Sequence, residues 1–162
     1  MQGGKPFGAP GQASGSADDD EAGGSVAKLR AGPSVQPARS GRVLVIDDEV
    51  AVGRTIQRLL GDRHEVVALA SGSEAIELLR SGAEFDVILC DMSMPEVTGI
   101  DVYERATEIR RELADRFVFM TGGSFAASTR DFLEQSPNEK IDKPFDLTAL
   151  RALVRDRVSL VG

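Results

Sequence analysis

Residues 42–49, Arg42-Val43-Leu44-Val45-Ile46-Asp47-Asp48-Glu49, decide how this chain is read. Four large aliphatic side chains in a row, without polar alternation, describe a strand buried on both faces, as in the interior of a parallel sheet. The run stops on two adjacent aspartates, and a helical pattern follows in which Val52, Ile56, Leu59 and Leu60 share one face and Gly61 closes the helix. The same unit recurs down the chain. Residues 64–69 (HEVVAL) predict a second strand, and Ser71 or Ser73 caps a helix carrying Ala75, Ile76, Leu78 and Leu79 that Gly82 ends. Residues 86–90 (DVILC) predict a third buried strand, again running into an acid, Asp91. A loop with Pro95 and Gly99 then leads to a helix through Ile100, Val102, Tyr103, Ala106 and Ile109. Residues 116–120 (RFVFM) predict the fourth strand, followed by Thr121-Gly122-Gly123 and a helix over residues 125–133. A short fifth strand spans 140–142, and Asp146 caps a last helix bearing Leu147, Leu150, Leu153 and Val154. Five βα units in strict alternation predict a three-layer, doubly wound α/β fold with a parallel five-stranded sheet and right-handed crossovers.

Outward from this core, the texture changes. Residues 1–40 are rich in Gly, Ala, Ser and Pro, and the acidic run Asp18-Asp19-Asp20-Glu21 has no apolar stripe beside it. Such a segment buries too little surface to offset its ordering entropy, so the expectation is a disordered linker or tail over 1–40 and a folded domain over 41–162. The whole chain of 162 residues is 41% hydrophobic and 28% charged, which suits one domain with a packed core. No run approaches the roughly 18 to 20 apolar residues that cross a bilayer, and the N-terminus lacks the order of a signal peptide. A single cysteine excludes an internal disulfide and points to a reducing, cytoplasmic setting. The formal net charge of −7 argues against direct, sequence-independent binding of nucleic acid, which needs cationic contacts to phosphates.

The residues that follow the strands carry the chemistry. In open parallel sheets, sites form at the carboxyl ends of the strands. Asp47 and Asp48 follow the first strand, Asp91 the third, Thr121 the fourth and Lys143 the fifth, so the fold gathers them at one edge. Three carboxylates together repel and call for a cation. All-oxygen ligands with room for water and a phosphate fit Mg²⁺ better than a soft metal. A cation beside a carboxylate, with an ammonium and a hydroxyl opposite, also matches the charge that develops on a transferring phosphoryl group, and an aspartate can be its acceptor.

Four segments in this order carry a resemblance: Val43–Glu49, Asp91-Met92-Ser93-Met94-Pro95, Phe119-Met120-Thr121-Gly122 and Lys143-Pro144-Phe145. Together they closely resemble the receiver (CheY-like) domain of two-component response regulators, over residues 42 to the C-terminus. The resemblance implies a flavodoxin-like (βα)5 fold with strand order 2-1-3-4-5. It implies that Asp91 is the phosphoacceptor and that Asp48 and Asp91 ligate Mg²⁺ directly. Asp47 would act through water, and the Ser93 carbonyl would be a further ligand. Lys143 would pair with a phosphoryl oxygen, the Lys143–Pro144 bond would be cis, and Thr121 would donate its hydroxyl to the phosphoryl group, with Gly122 leaving space for that movement. The donor would be a histidine kinase or histidine phosphotransfer domain, and the domain would catalyse its own phosphorylation and dephosphorylation while serving mainly in signal transduction. The Gly/Ala/Pro-rich lead-in and the segment 119–123 (FMTGG) are similar to the terminal receivers of hybrid histidine kinases; a free-standing single-domain regulator, with no output domain after the receiver, is the other context. One position departs from the pattern: three residues before the matched lysine, where many receivers carry an aromatic that swings inward, stands Lys140.

Other readings compete. A haloacid-dehalogenase-like phosphatase also uses an aspartate nucleophile, Mg²⁺ and a lysine, but wants an acid two residues after the nucleophile, where this chain has Ser93. A degenerate receiver acting only as a docking module would not need the full acceptor set. There is no phosphate-binding glycine motif of the nucleotide-binding types. His64, the sole histidine, opens a strand and reads as structural; Cys90 reads as packing, and Met92 and Met94 as lining of the loop.

Overall fold

The computed structural model describes residues 39–161, so the expected linker lies, apart from Arg39 and Ser40, outside the described residues. Strands β1 (Arg42–Ile46), β2 (Glu65–Leu69), β3 (Val87–Asp91), β4 (Phe117–Thr121) and β5 (Lys140–Asp142) alternate with helices α1 (Val50–Leu60), α2 (Gly72–Arg80), α3 (Gly99–Ile109), α4 (Ala127–Gln135) and α5 (Leu147–Val161). The strands form one sheet in the order β2-β1-β3-β4-β5, with every pairing parallel, which is the fold class and order expected.

Period-two alternation splits the strand side chains between two cores. Val43, Val45, Val87, Leu89, Val118 and Met120 pack with Ile56 and Leu60 of α1 and Leu150, Val154 and Val158 of α5. Leu44, Ile46, Ile88, Cys90, Phe117 and Phe119 face the other way, onto Ala75, Ile76 and Leu79 of α2, Val102 and Ala106 of α3 and Leu133 of α4. The central strands are buried along their whole length except at Arg42, because helices cover both sides. Among the described residues, no helix is long and apolar enough to cross a membrane.

The boundaries differ from the sequence reading in instructive ways. β3 and β4 each begin and end one residue later than expected, so Asp91 and Thr121 are strand residues. The ladder continues past them: the Met92 N–H donates to the Met120 carbonyl at 3.1 Å, and the Lys143 N–H to that of Thr121 at 2.7 Å. β2 starts at Glu65 because the His64 N–H is still bonded to the Leu60 carbonyl. Ser71, of the two serines considered, is the cap of α2, accepting from the Glu74 N–H. Beyond its end, Gly82 takes a φ of +97°, a left-handed conformation that favours glycine. α4 begins at Ala127, two residues later than expected, with no side-chain cap. A 3₁₀ helix over Arg111–Arg116, absent from the sequence reading, leads into β4.

Candidate phosphoacceptor site

At the carboxyl edge of the sheet, β1 delivers Asp47 and Asp48, β3 delivers Asp91 and the β5–α5 turn delivers Lys143. A carboxylate oxygen from each aspartate lies within 4.8 Å of the other two. Asp47 and Asp91 are buried, at 2% and 4% exposure, whereas Asp48 is exposed.

Their surroundings differ in a way that separates their chemistry. Both oxygens of Asp47 are occupied: Oδ2 accepts from Lys143 Nζ at 2.5 Å, and Oδ1 from the Glu49 N–H at 2.9 Å. Lys143 stands farther from the other acids, 3.5 Å from Asp91 and 3.6 Å from Glu49. Lys143, expected to pair with a phosphoryl oxygen, is here held mainly by Asp47. Asp91 Oδ1 accepts from the Ser93 N–H at 3.3 Å. Burial, and then the negative charge of Asp47, push the Asp91 carboxyl above the usual carboxylate range, while the Ser93 N–H and Lys143 pull the other way. Burial draws the Lys143 ammonium down, but its hydrogen bond to Asp47 and the surrounding acids outweigh this and raise its pKa.

This is an under-neutralised anionic cluster with an all-oxygen donor set. Those properties fit a hard divalent cation held by Asp47, Asp48 and Asp91. Ser93 lies beside the cluster through its N–H.

Thr121 ends β4 at the same edge, 7% exposed, but its hydroxyl faces elsewhere. It donates to Asp142 Oδ1 at 2.6 Å. Asp142 was not singled out in the sequence, where it reads only as the end of a short strand. The signal lay in the register, since the parallel pairing of β4 and β5 sets Thr121 opposite Asp142. Gly122 packs against Lys143: a Cβ built there would stand 3.3 Å from the lysine Cβ, so the small residue keeps the two segments close. The Lys143–Pro144 peptide is cis, as expected. Lys140 is exposed, its Nζ donating to the carbonyls of Ser136 and Asn138 at 2.8 Å each, so it lies along the α4–β5 connection.

The remaining candidates are structural. His64 Nδ1 accepts from the Gly41 N–H at 3.1 Å, which requires an unprotonated ring nitrogen. Cys90 is fully buried and its thiol is pushed strongly upward by that burial and by the neighbouring acids. Met92 and Met94 are packed into the α2–α3–α4 core.

A sequence profile of the response regulator receiver domain matches residues 43–155. The transcriptional regulatory protein DltR of Streptococcus agalactiae is 32% identical over 117 residues, covering 72% of this chain and 51% of DltR. The sensor kinase CckA of Brucella abortus is 32% identical over 120 residues, covering 72% of this chain and 12% of that kinase. The solved receiver domain from the hybrid histidine kinase CckA superposes with a TM-score of 0.59 at 27% identity, covering 73% of this chain and 99% of that one. The chain thus spans about half the length of DltR and far less of the kinase.

Proposed function

The chain belongs to the response regulator receiver family of two-component systems, and from that premise we propose that Asp91 accepts a phosphoryl group with Mg²⁺ bound by Asp47, Asp48 and Asp91. The observation that carries the reading is the convergence of three carboxylates on one another, two of them paired with Lys143, with Asp91 buried at the end of a central strand. In the transfer, an Asp91 oxygen forms a bond to phosphorus as the bond from phosphorus to the donor's imidazole nitrogen breaks, and the electron pair stays on the imidazole. Mg²⁺ supplies charge neutralisation for the phosphoryl oxygens. Lys143, 3.5 Å from Asp91, supplies a cation on the protein side. Asp47, whose oxygens are taken by Lys143 and the Glu49 N–H, acts on the metal more weakly than Asp48, which is exposed and accepts no such bonds among the described residues. The Ser93 carbonyl completes the proposed ligand set.

The donor is a histidine kinase or a histidine phosphotransfer domain, and the setting is the cytoplasm. The similarity to CckA, named a sensor kinase and a hybrid histidine kinase, supports a receiver that works within a hybrid kinase; the similarity to DltR, named a transcriptional regulatory protein, supports one that controls a separate output.

The test is phosphorylation by acetyl phosphate with Mg²⁺, followed by intact mass. The native chain gains a single acid-labile phosphoryl group and Asp91→Asn gains none. Equal labelling of the two proteins removes Asp91 from the role.

A further inference from the structure

Thr121 occupies an odd-numbered position of β4, on the side of the sheet that Phe117 and Phe119 share with α2, α3 and α4. Asp91 continues instead the series Val87 and Leu89, which faces α1 and α5. The Thr121 hydroxyl thus starts from the far side of the sheet edge and must turn to reach a group on Asp91. It is held where it starts by Asp142, its partner in the β4–β5 register, at 2.6 Å. That length is typical of a hydroxyl donating to an ionised carboxylate, among the stronger hydrogen bonds in proteins. The neighbouring cations leave the carboxylate free to accept. Lys143 pairs with Asp47, Asp91 and Glu49, and Lys140 donates to the carbonyls of Ser136 and Asn138.

A hydroxyl has one proton to donate. It cannot serve Asp142 and a phosphoryl oxygen at once. Resting on the assignment of Asp91 as phosphoacceptor, we propose that Asp142 is a positioning residue that competes with the phosphoryl group for the Thr121 hydroxyl and so holds the site in its resting arrangement. Both acceptors are anions, so the exchange replaces one charge-assisted bond by another and leaves the exposed Asp142 to water. Removing the competitor therefore favours the phosphoryl-bound arrangement by about the net worth of one hydrogen bond to a charged group in a partly wet setting, about tenfold in affinity.

The measurement is the affinity of the full chain for beryllofluoride in saturating Mg²⁺, alongside the affinity for Mg²⁺ alone. Asp142→Ala is expected to bind beryllofluoride about tenfold more tightly than the native chain, with Mg²⁺ affinity changed less than about twofold. Asp142→Asn, which keeps the shape and a weaker acceptor, falls between and serves if the alanine variant folds poorly. The gain vanishes when Thr121→Ala is already present, because there is no hydroxyl left to compete for. A gain of equal size in the Thr121→Ala background means that Asp142 acts only through its charge, and overturns the proposal. So does native-like affinity in both Asp142 variants while the native chain binds the probe. A native chain that takes no beryllofluoride at all overturns the phosphoacceptor assignment and this inference with it.

Discussion

Asp47 and Asp48 are adjacent in sequence yet opposite in surroundings, one buried against Lys143 and the other open to solvent. Mg²⁺ affinity should therefore fall more in Asp48→Ala than in Asp47→Ala, and isothermal titration giving the reverse order would show that the buried acid is the main ligand. His64 gives a pH signature. Burial lowers its pKa from 6.5 and outweighs the attraction of Asp62 and Asp86, while Arg63 and Arg151 add to the lowering. An unfolded chain takes up a proton as pH falls through that value, but the folded chain resists, because its neutral Nδ1 accepts the Gly41 N–H. The contribution is thus intact above the unfolded pKa and lost as pH falls towards the folded one. Urea denaturation between about pH 7 and 5.5 should show stability declining with acid in the native chain, with a flatter profile in His64→Asn, whose side-chain oxygen can replace Nδ1. An unchanged slope would assign the decline to carboxylates. At this scale Asp47, Asp48, Asp91, Thr121 and Lys143 were legible, since each stands at the end of a strand-forming run. Asp142 was not, because its role arises only from which residue of β4 it sits beside.

Among the helices, α4 is the least anchored. It buries only Leu133 and has no side-chain cap, whereas α3 buries Gly99, Val102 and Ala106 and begins with a capping box between Thr98 and Asp101. Phe132 adds one aromatic edge, against Tyr103 and Phe119. Native-state hydrogen exchange should accordingly open the amides of α4 before those of α3, and the opposite order would mean that the aromatic edge outweighs the missing cap. The start of α3 is constrained differently. A Cβ at Gly99 would lie 2.5 Å from the Asp91 carbonyl oxygen and 2.8 Å from the Met92 Cα, both backbone atoms. Gly99→Ala must push the β3–α3 loop away from the end of β3, at a cost of about 1–3 kcal/mol in stability. Chemical denaturation reads that cost directly, and a neutral substitution would show that the loop yields freely. All five helices and five strands were legible from periodicity, with ends displaced by one or two residues. Those ends are set by bonds that periodicity does not encode, such as the Met92 N–H to the Met120 carbonyl.

At the scale of the whole domain, both cores are drawn, among the described residues, from those between Val43 and Val158, and Arg39 reaches the far end of that span, donating to the Val158 carbonyl at 2.8 Å. A chain beginning at Ala38 should fold and accept phosphate as the full chain does, with a Tm within about 4 °C, the shift that ~1 kcal/mol produces. A larger drop would assign the preceding residues a part in the fold. Strand order was the one global property that local patterns could not supply. Alternation specifies five parallel strands, but their neighbours came from the resemblance and agree with the sheet found here. Cys90 then has a use outside signalling. It is the sole thiol, fully buried and held protonated, one residue from Asp91. A thiol reagent in native buffer can reach it only when the central strand is laid open, so its labelling rate is a stopwatch for the opening of the entire domain. Run with and without beryllofluoride, that stopwatch reports how far the ligand slows the opening, with no reporter residue engineered into the protein.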